Sequence, residues 1–574
     1  MRRFLPFLDW LPKYNKNLFG KDLVAGITVG IILIPQGMAY AMIAGLPPVY
    51  GLYASLFPIL MYAFLGTSRQ IAVGPVAMDS LLVAAGLGTL AISGVQNYIL
   101  MALFLSFMVG AFQLTFGFFR MGFLVNFMSR PVISGFTSAA AVIIIFSQLK
   151  HLLGADIINS NKFHELVINA FQHLSETNIY DFSIGIIGIL IIVSFKKWFD
   201  RFPAILLVVV LSTLVVYFFD LEAFDVQVVG EVPAGLPSFS IHSFSMEKVR
   251  EIWPIALTVA LVGYLEAISI GRAFEEKDKI ETIDPNQELI ALGASNMIGS
   301  FFQSYSVTAS FSRSAINYEA GAKSTVASMI SVVMVALTLL FLTPLFYNLP
   351  KAALASIIMV SVFGLIDLSY PKKLWYQSRD EFLVLLITFL ITLAVGIVEG
   401  ILMGVLLSLL LMVYRTSKPH FAVLGSIKGS DYYKNISRFG DEAEVRPDLL
   451  IVRFDSQLYF GNSGYFKSEL FKFINVKGRS LKAVILNAEA INYIDASASA
   501  MLINVIEEIH NRNIEFYIAG ATGPIRDIIF KSGIINSLHK EYLFVKIKEA
   551  VAYHDDPNTI PLLRERVAHQ NQSN

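Results

Sequence analysis

The sequence predicts a polytopic α-helical membrane protein with a soluble α/β domain after it. Two observations carry that prediction. Of 574 residues, 55% are hydrophobic and 15% charged, where soluble domains carry about 25% charged residues. The charge is also unevenly spread. Residues 421–574 hold 36 of the 88 Asp, Glu, Lys and Arg, and the far longer stretch 1–420 holds the other 52. The first region reads as membrane-embedded and the second as soluble. This composition excludes a soluble enzyme, a disordered chain and a disulfide-linked scaffold. A net charge of zero gives no electrostatic footing for nucleic acid. With no Cys there is no thiolate nucleophile, Cys-ligated zinc or iron–sulfur cluster.

Residues 1–22 are basic, with Arg2, Arg3, Lys13, Lys16 and Lys21 against Asp9 and Asp22, and no cleavage site follows. The positive-inside rule places this segment in the cytoplasm. Apolar spans then recur at 24–44, 49–65, 72–92, 97–119, 131–149, 182–195, 203–219, 252–271, 286–302, 312–319, 324–347, 351–366, 382–397 and 399–415. Those fourteen segments make residues 23–420 the membrane domain. Several are shorter than the ~20 residues of a full span. Segment three opens Ala72-Val73-Gly74-Pro75-Val76-Ala77, and segment ten opens Ser310-Phe311-Ser312-Arg313-Ser314. A shift of 237 residues lays Gly26 on Gly263, Pro48 on Pro285, Leu52 on Leu289, Ala54 on Ala291 and Pro75 on Ser312. Seven segments per half would make two inverted repeats. Such repeats place a transported solute between broken helices near the midplane.

These residue types suit an anion. A helix start offers unpaired N–H groups and about half a positive charge. Pro75 fits a first turn, and Ser310 or Ser312 can cap segment ten. Arg313 adds a permanent charge, unless it pairs with Glu319 as structure. Glu266 lies deep in segment eight. A desolvated carboxyl there can take up a proton. Ionised, it repels a nearby anion; protonated, it does not. The alternative is a structural pair with Arg272 or Arg313. Asp79 either satisfies backbone beside the broken helix or tunes the site. Asp367 and Glu399 fall near span ends, at the interface.

Pro35-Gln36-Gly37-Met38-Ala39-Tyr40-Ala41 and the run Gly45-Leu46-Pro47-Pro48-Val49-Tyr50-Gly51-Leu52-Tyr53 resemble the signature of SulP-family anion transporters. Gly66-Thr67-Ser68-Arg69, Asn286-Gln287-Glu288-Leu289 and the run from Ser310 to Tyr318 continue the resemblance. The last run is similar to the plant sulfate transporters. The resemblance implies two inverted sevens forming a core and a gate domain, elevator-like movement, a homodimer and a C-terminal STAS domain. It maps the substrate pocket onto Gln36, Tyr40, Val76, Ala77, Phe311, Ser312 and Arg313, and proton coupling onto Glu266. It implies proton-coupled sulfate uptake at the cell membrane. Sodium-coupled bicarbonate transport, proton-coupled dicarboxylate transport, and an uncoupled exchanger or channel remain open, as does a membrane-anchored regulator.

In the soluble part, residues 449–454, 483–487 and 514–520 read as buried strands. Residues 500–512 read as an amphipathic helix with Leu502, Val505, Ile506 and Ile509 inward. That order, with Ile494-Asp495-Ala496-Ser497-Ala498, resembles a STAS domain over 421–554. Ala496 replaces the family's phosphoacceptor and Ala498 its Gly, so the resemblance favours folding, dimerisation or docking of a cytosolic partner over a phospho-switch. Residues 555–574 read as a flexible polar tail. Gly321-Ala322-Lys323-Ser324 is not a P-loop, and the nine His form no i, i+4 pair, so no nucleotide, metal or other cofactor is expected.

Overall fold

The computed structural model describes residues 5–559 except 89, 91, 124–128, 158–161, 199–202, 242–244 and 278–282. The chain divides into two compact units, Met1–Ser408 and Leu409–Asn574. Among the described residues, fourteen helical segments run in sequence through the membrane region. They are α1 (Lys16–Ile43), α2 (Val49–Leu65), α3 (Ala77–Gly88), α4 (Val95–Phe118), α5 (Arg130–Leu153), α6 (Ile179–Trp198), α7 (Ala204–Phe218), α8 (Met246–Lys277), α9 (Pro285–Phe301), α10 (Phe311–Glu319), α11 (Val326–Phe346), α12 (Lys351–Phe363), α13 (Arg379–Ala394) and α14 (Ile397–Ser417). Seven are long and apolar enough to cross a bilayer.

The two broken segments differ from expectation in their starts. Segment three is a strand, β1 (Ala72–Gly74), followed by the 12-residue helix α3. Pro75 therefore lies two residues before the helix instead of in its first turn. Strand β2 (Thr308–Ser310) leads directly into the nine-residue α10. A shift of 237 would start that helix at 314, so the repeat register drifts between the halves. At about 1.5 Å per residue neither helix spans a hydrocarbon core of about 30 Å. Each becomes viable because β1 and β2 pair antiparallel, Ala72 opposite Ser310, Val73 opposite Ala309 and Gly74 opposite Thr308. The pairing satisfies backbone groups that lipid cannot.

Packing sorts the segments into two bundles. Helix α4 packs on α9 and α8, α1 on α11, and α2 on α9; α5 packs on α13 and α12, and α6 on α12 and α7. Small residues permit the closest approaches. A Cβ on Gly51 would come within 1.9 Å of the Gly37 carbonyl oxygen, and one on Gly110 within 2.4 Å of the Met297 amide nitrogen. Thus two signature glycines join α1 to α2.

Two buried carboxylates tie loops across the first bundle. Asp22 accepts from Lys323 N at 2.6 Å, Ser324 N at 3.1 Å, Ser324 Oγ at 2.5 Å and Tyr14 Oη at 3.0 Å. Glu288 accepts from Thr67 N at 2.7 Å, Thr67 Oγ1 at 2.6 Å and Tyr62 Oη at 2.9 Å. The signature runs around residues 66–69 and 286–289 are therefore partners in space. Among the described residues of this unit, two helices of nine or more residues were not foreseen, Phe163–Gln172 and Ser369–Gln377. Asp367 caps the second, accepting from Ser369 N and Tyr370 N at 3.0 Å each.

The second unit holds a mixed sheet. Its strands are β3 (Phe421–Ile427), β4 (Tyr433–Asn435), β5 (Ala443–Glu444), β6 (Leu449–Phe454), β7 (Ala483–Asn487), β8 (Glu515–Ala519) and β9 (Leu543–Phe544). The order is β4-β3-β6-β7-β8-β9, with β5 on β3. Strands β6 to β9 are parallel and β3 is antiparallel to β6. Helices α15 (Ser463–Lys477), α16 (Ala496–His510) and α17 (Gly523–Lys531) bury one core cluster with the sheet, and α18 (Ile547–Asp555) a second. Leu502, Val505, Ile506 and Ile509 are all buried. Helix α16 begins four residues earlier than read, because Asp495 caps it, accepting from Ala498 N at 2.7 Å. Asp555 ends α18 and pairs with Arg446 at 2.7 Å, so the flexible-tail expectation fails at its start; residues 560–574 lie outside the described residues.

Candidate functional site

The β1–β2 ladder sets the site. Its strands run in opposite directions, so α3 and α10 leave from opposite ends and both helix starts border the same three residue pairs. The Val76 carbonyl accepts from Ser80 N at 3.0 Å, making Val76 the last residue before α3 turns. Ser310 caps α10, accepting from Arg313 N at 3.4 Å, and its Oγ lies 3.3 Å from Ser312 Oγ. Ser314 Oγ accepts from Ala72 N at 2.8 Å, and Asn317 Nδ2 donates to the Gln70 carbonyl at 3.1 Å. These bonds fix α10 against β1.

Arg313 is fully buried in the first turn of α10, and Nε, Nη1 and Nη2 all lack a hydrogen-bond partner. It does not pair with Glu319, which is exposed. Its guanidinium lies against Gly74. A Cβ there would come within 3.2 Å of Nη2, and Gly74 has φ +147°, a conformation that favours glycine. The charge acts on Tyr40 and Tyr305 and on Glu266, one helix away on α8. Glu266 Oε2 is buried and unpartnered, so the structural pairing with Arg272 or Arg313 is not formed at that oxygen.

The expected pocket residues occupy three adjoining elements. Gln36 and Tyr40 sit one turn apart on α1, which packs on both α3 and α10. Both are buried, and Gln36 Oε1 has no partner. Val76 and Ala77 are buried at the start of α3. Phe311 is 54% exposed and Ser312 is exposed at the start of α10, so that end of the site is open. Unpaired donors at a helix start, beside an unpaired guanidinium, can take up an oxyanion.

Sequence reasoning missed the floor beneath these residues. Tyr305 is fully buried, with its hydroxyl 3.0 Å from Ser80 Oγ. Ser306 Oγ donates to Asp79 at 3.4 Å, and Thr308 Oγ1 to the Gly263 carbonyl at 2.6 Å. Asn296 holds the strand from behind, accepting from Val307 N at 2.8 Å and donating to the Val307 carbonyl at 3.1 Å and to Gln113 Oε1 at 3.0 Å. The uncharged polar run Gln303-Ser304-Tyr305-Ser306 between two spans was the available signal. Glu399 lines a separate cavity of about 780 Å³ between the bundles, with Met42, Leu81, Gln148 and Lys150.

Residues 19–388 match the Sulfate permease family, and residues 442–552 the STAS domain. The chain is 37% identical to "Sulfate transporter 4.1, chloroplastic" of Arabidopsis thaliana, over 95% of this chain and 82% of that one. It is 36% identical to "Probable sulfate transporter 4.2" of the same plant, over 95% and 83%. Among solved structures it is similar to the murine Solute Carrier 26 family member A9 anion transporter in the inward-facing state. The TM-score is 0.89 at 28% identity, covering 96% of this chain and 94% of that one. The transmembrane domain of a cyanobacterium bicarbonate transporter shares the fold, with TM-score 0.59 at 22% identity over 69% of this chain and 98% of that one.

Proposed function

The chain belongs to the sulfate permease family of multi-pass membrane anion transporters, and we propose that it takes up sulfate together with protons. The observation that carries this reading is Arg313, fully buried and without a partner in the first turn of a broken helix. An isolated buried cation is strongly unfavourable, by several kcal/mol. A bound anion would supply the missing charge and accept the missing hydrogen bonds. Sulfate is favoured because the plant relatives bear that name. Gln36, Tyr40, Val76, Ala77, Phe311 and Ser312 would line its pocket.

Glu266 supplies the proton. Its carboxyl acts on Arg313 across the site. Neutral, it leaves the guanidinium to the anion; ionised, it competes for it. The two bundles support an elevator-like cycle, in which the bundle holding the ladder slides against the other. We place the protein in the cell membrane as a homodimer in contact with lipid, with basic residues 1–22 and the STAS domain in the cytoplasm. Ala496 is the exposed first residue of α16, Ser497 is exposed, and Ser499 is buried. That arrangement fits docking of a cytosolic protein better than phospho-switching.

The test is radiolabelled sulfate uptake into proteoliposomes under an inward proton gradient, then with that gradient collapsed. Accumulation that vanishes with the gradient supports proton-coupled symport. Absence of sulfate uptake in both states, with folded reconstituted protein, sinks the sulfate reading and brings bicarbonate and dicarboxylates forward. Gradient-independent exchange would instead favour an uncoupled exchanger.

A further inference from the structure

Three buried carboxylates in the first bundle differ in one respect. Asp22 and Glu288 each accept at least three hydrogen bonds of 3.1 Å or less. Asp79 accepts one, from Ser306 at 3.4 Å, and its Oδ1 has no partner. Yet it is 1% exposed, in the first turn of α3. A carboxylate kept for structure is bonded like the first two. Asp79 is instead built like Glu266, whose Oε2 is also buried and unpartnered.

The two acids face one site. Gly263 lies one turn before Glu266 on α8, and a Cβ there would come 3.3 Å from Asp79 Oδ2. The groups facing them are Arg313 from α10, Tyr40 from α1 and Tyr305 from the loop before β2. Helices α4 and α5 also pack on α3; α4 carries no Asp, Glu, Lys, Arg or His, and α5 carries Arg130, Lys150 and His151 only at its two ends, none of them acting on either carboxyl. One fixed cation therefore stands against two carboxyls.

Charge counting gives the consequence. With both carboxyls ionised and no anion, the buried site carries one net negative charge. With both protonated and a divalent oxyanion bound, it again carries one. Binding two protons together with one dianion thus leaves the buried charge unchanged, whereas binding one proton with it alters that charge, at a large cost in a low dielectric. We propose that Asp79 holds a second transported proton, so that each divalent oxyanion enters with two protons, one on Asp79 and one on Glu266. This rests on the proton-coupled reading above.

The test uses full-length protein in liposomes containing a pH dye, fed with sulfate. Two protons per sulfate are expected, with uptake indifferent to a potassium–valinomycin potential. Asp79→Asn should carry one proton and become potential-driven, about tenfold in accumulation for 59 mV inside-positive. A wild-type ratio of one overturns the proposal whatever the variants do, as does a ratio of two retained in Asp79→Asn. Sodium-driven uptake whose sodium dependence is lost in Asp79→Asn also overturns it, by making the pair a metal-cation site. Absence of any proton-driven sulfate uptake defeats the functional reading itself. Infrared pH titration of the purified protein then still decides Asp79: a protonatable carboxyl band absent from Asp79→Asn is expected, and an unchanged spectrum overturns the assignment.

Discussion

Arg313 and Arg446 are the same side chain in opposite surroundings. Arg313 is fully buried, and none of its guanidinium nitrogens has a partner. Arg446 has a side chain 40% exposed, bonded to Asp448 at 2.6 Å and Asp555 at 2.7 Å. The Arg446 guanidinium holds the Asp448 carboxyl well below the usual carboxylate range, and the acids push Arg446 further up. Water screens that network, and exposed pairs contribute about 0–1 kcal/mol. The soluble domain satisfies its own charge where charge is cheap. The membrane bundle leaves Arg313 unsatisfied where that is expensive. A cation left so implies a partner from outside the chain.

The largest effect expected from that contrast is at Arg313. Arg313→Met should lower sulfate uptake by at least about 100-fold, the loss of roughly 3 kcal/mol of charge-assisted bonding. The empty protein should meanwhile keep its stability or gain about 1 kcal/mol, since a buried charge is replaced by apolar volume. Uptake and thermal melting together check this. A drop of several kcal/mol in stability would make Arg313 a structural cation and collapse the comparison.

Glu266→Gln comes next. Fixed in its neutral form, the side chain should still admit sulfate but leave only one proton, on Asp79, to drive it, reducing accumulation about tenfold per pH unit of gradient with a flatter pH profile. Unchanged proton-driven accumulation would remove Glu266 from coupling. A smaller effect is expected at Gly74→Ala. The new methyl meets Arg313 Nη2 at 3.2 Å on a backbone of φ +147°. Strain of about 1–3 kcal/mol should raise the sulfate KM several-fold and leave the STAS domain unaffected. An unaltered KM would show that Arg313 does not depend on this contact.

The smallest effect lies on the paired side. Asp448→Asn should lower the melting transition of the soluble unit by no more than about 0.5–1 kcal/mol. Because folding depresses the Asp448 carboxyl, its contribution is complete above about pH 4 and fades as pH falls below that. Loss on raising the pH instead would contradict the assignment.

Much of this was legible in the sequence. The fourteen segments stand out because apolar runs of that length have few other uses. Arg313 and Glu266 stand out because charge inside such runs is rare. The helix Phe163–Gln172 was invisible because it buries only Leu166 and Ala170 and so lacks an apolar stripe long enough to read. Helix α16 was read four residues late because Ala496-Ser497-Ala498 shows no periodicity until Asp495 is recognised as its cap. Tyr305, Ser306 and Asn296 were missed because their importance comes from pairing between distant strands, which no local pattern encodes. Glu288 was read as part of a motif, but its bonds to Thr67 cross from one half of the membrane region to the other.

The three-rung ladder between β1 and β2 also bears on biosynthesis. Ala72 emerges from the ribosome long before Ser310, its partner. Until then β1 has open backbone groups at a depth where lipid offers none in return. The nascent chain must shelter that strand in the translocon, against a chaperone or in a provisional fold. A chain halted before residue 308 would keep most of its apolar helices and still present an unfinished seam to membrane quality control. The site thus becomes native only once two strands far apart in the chain have both entered the membrane domain.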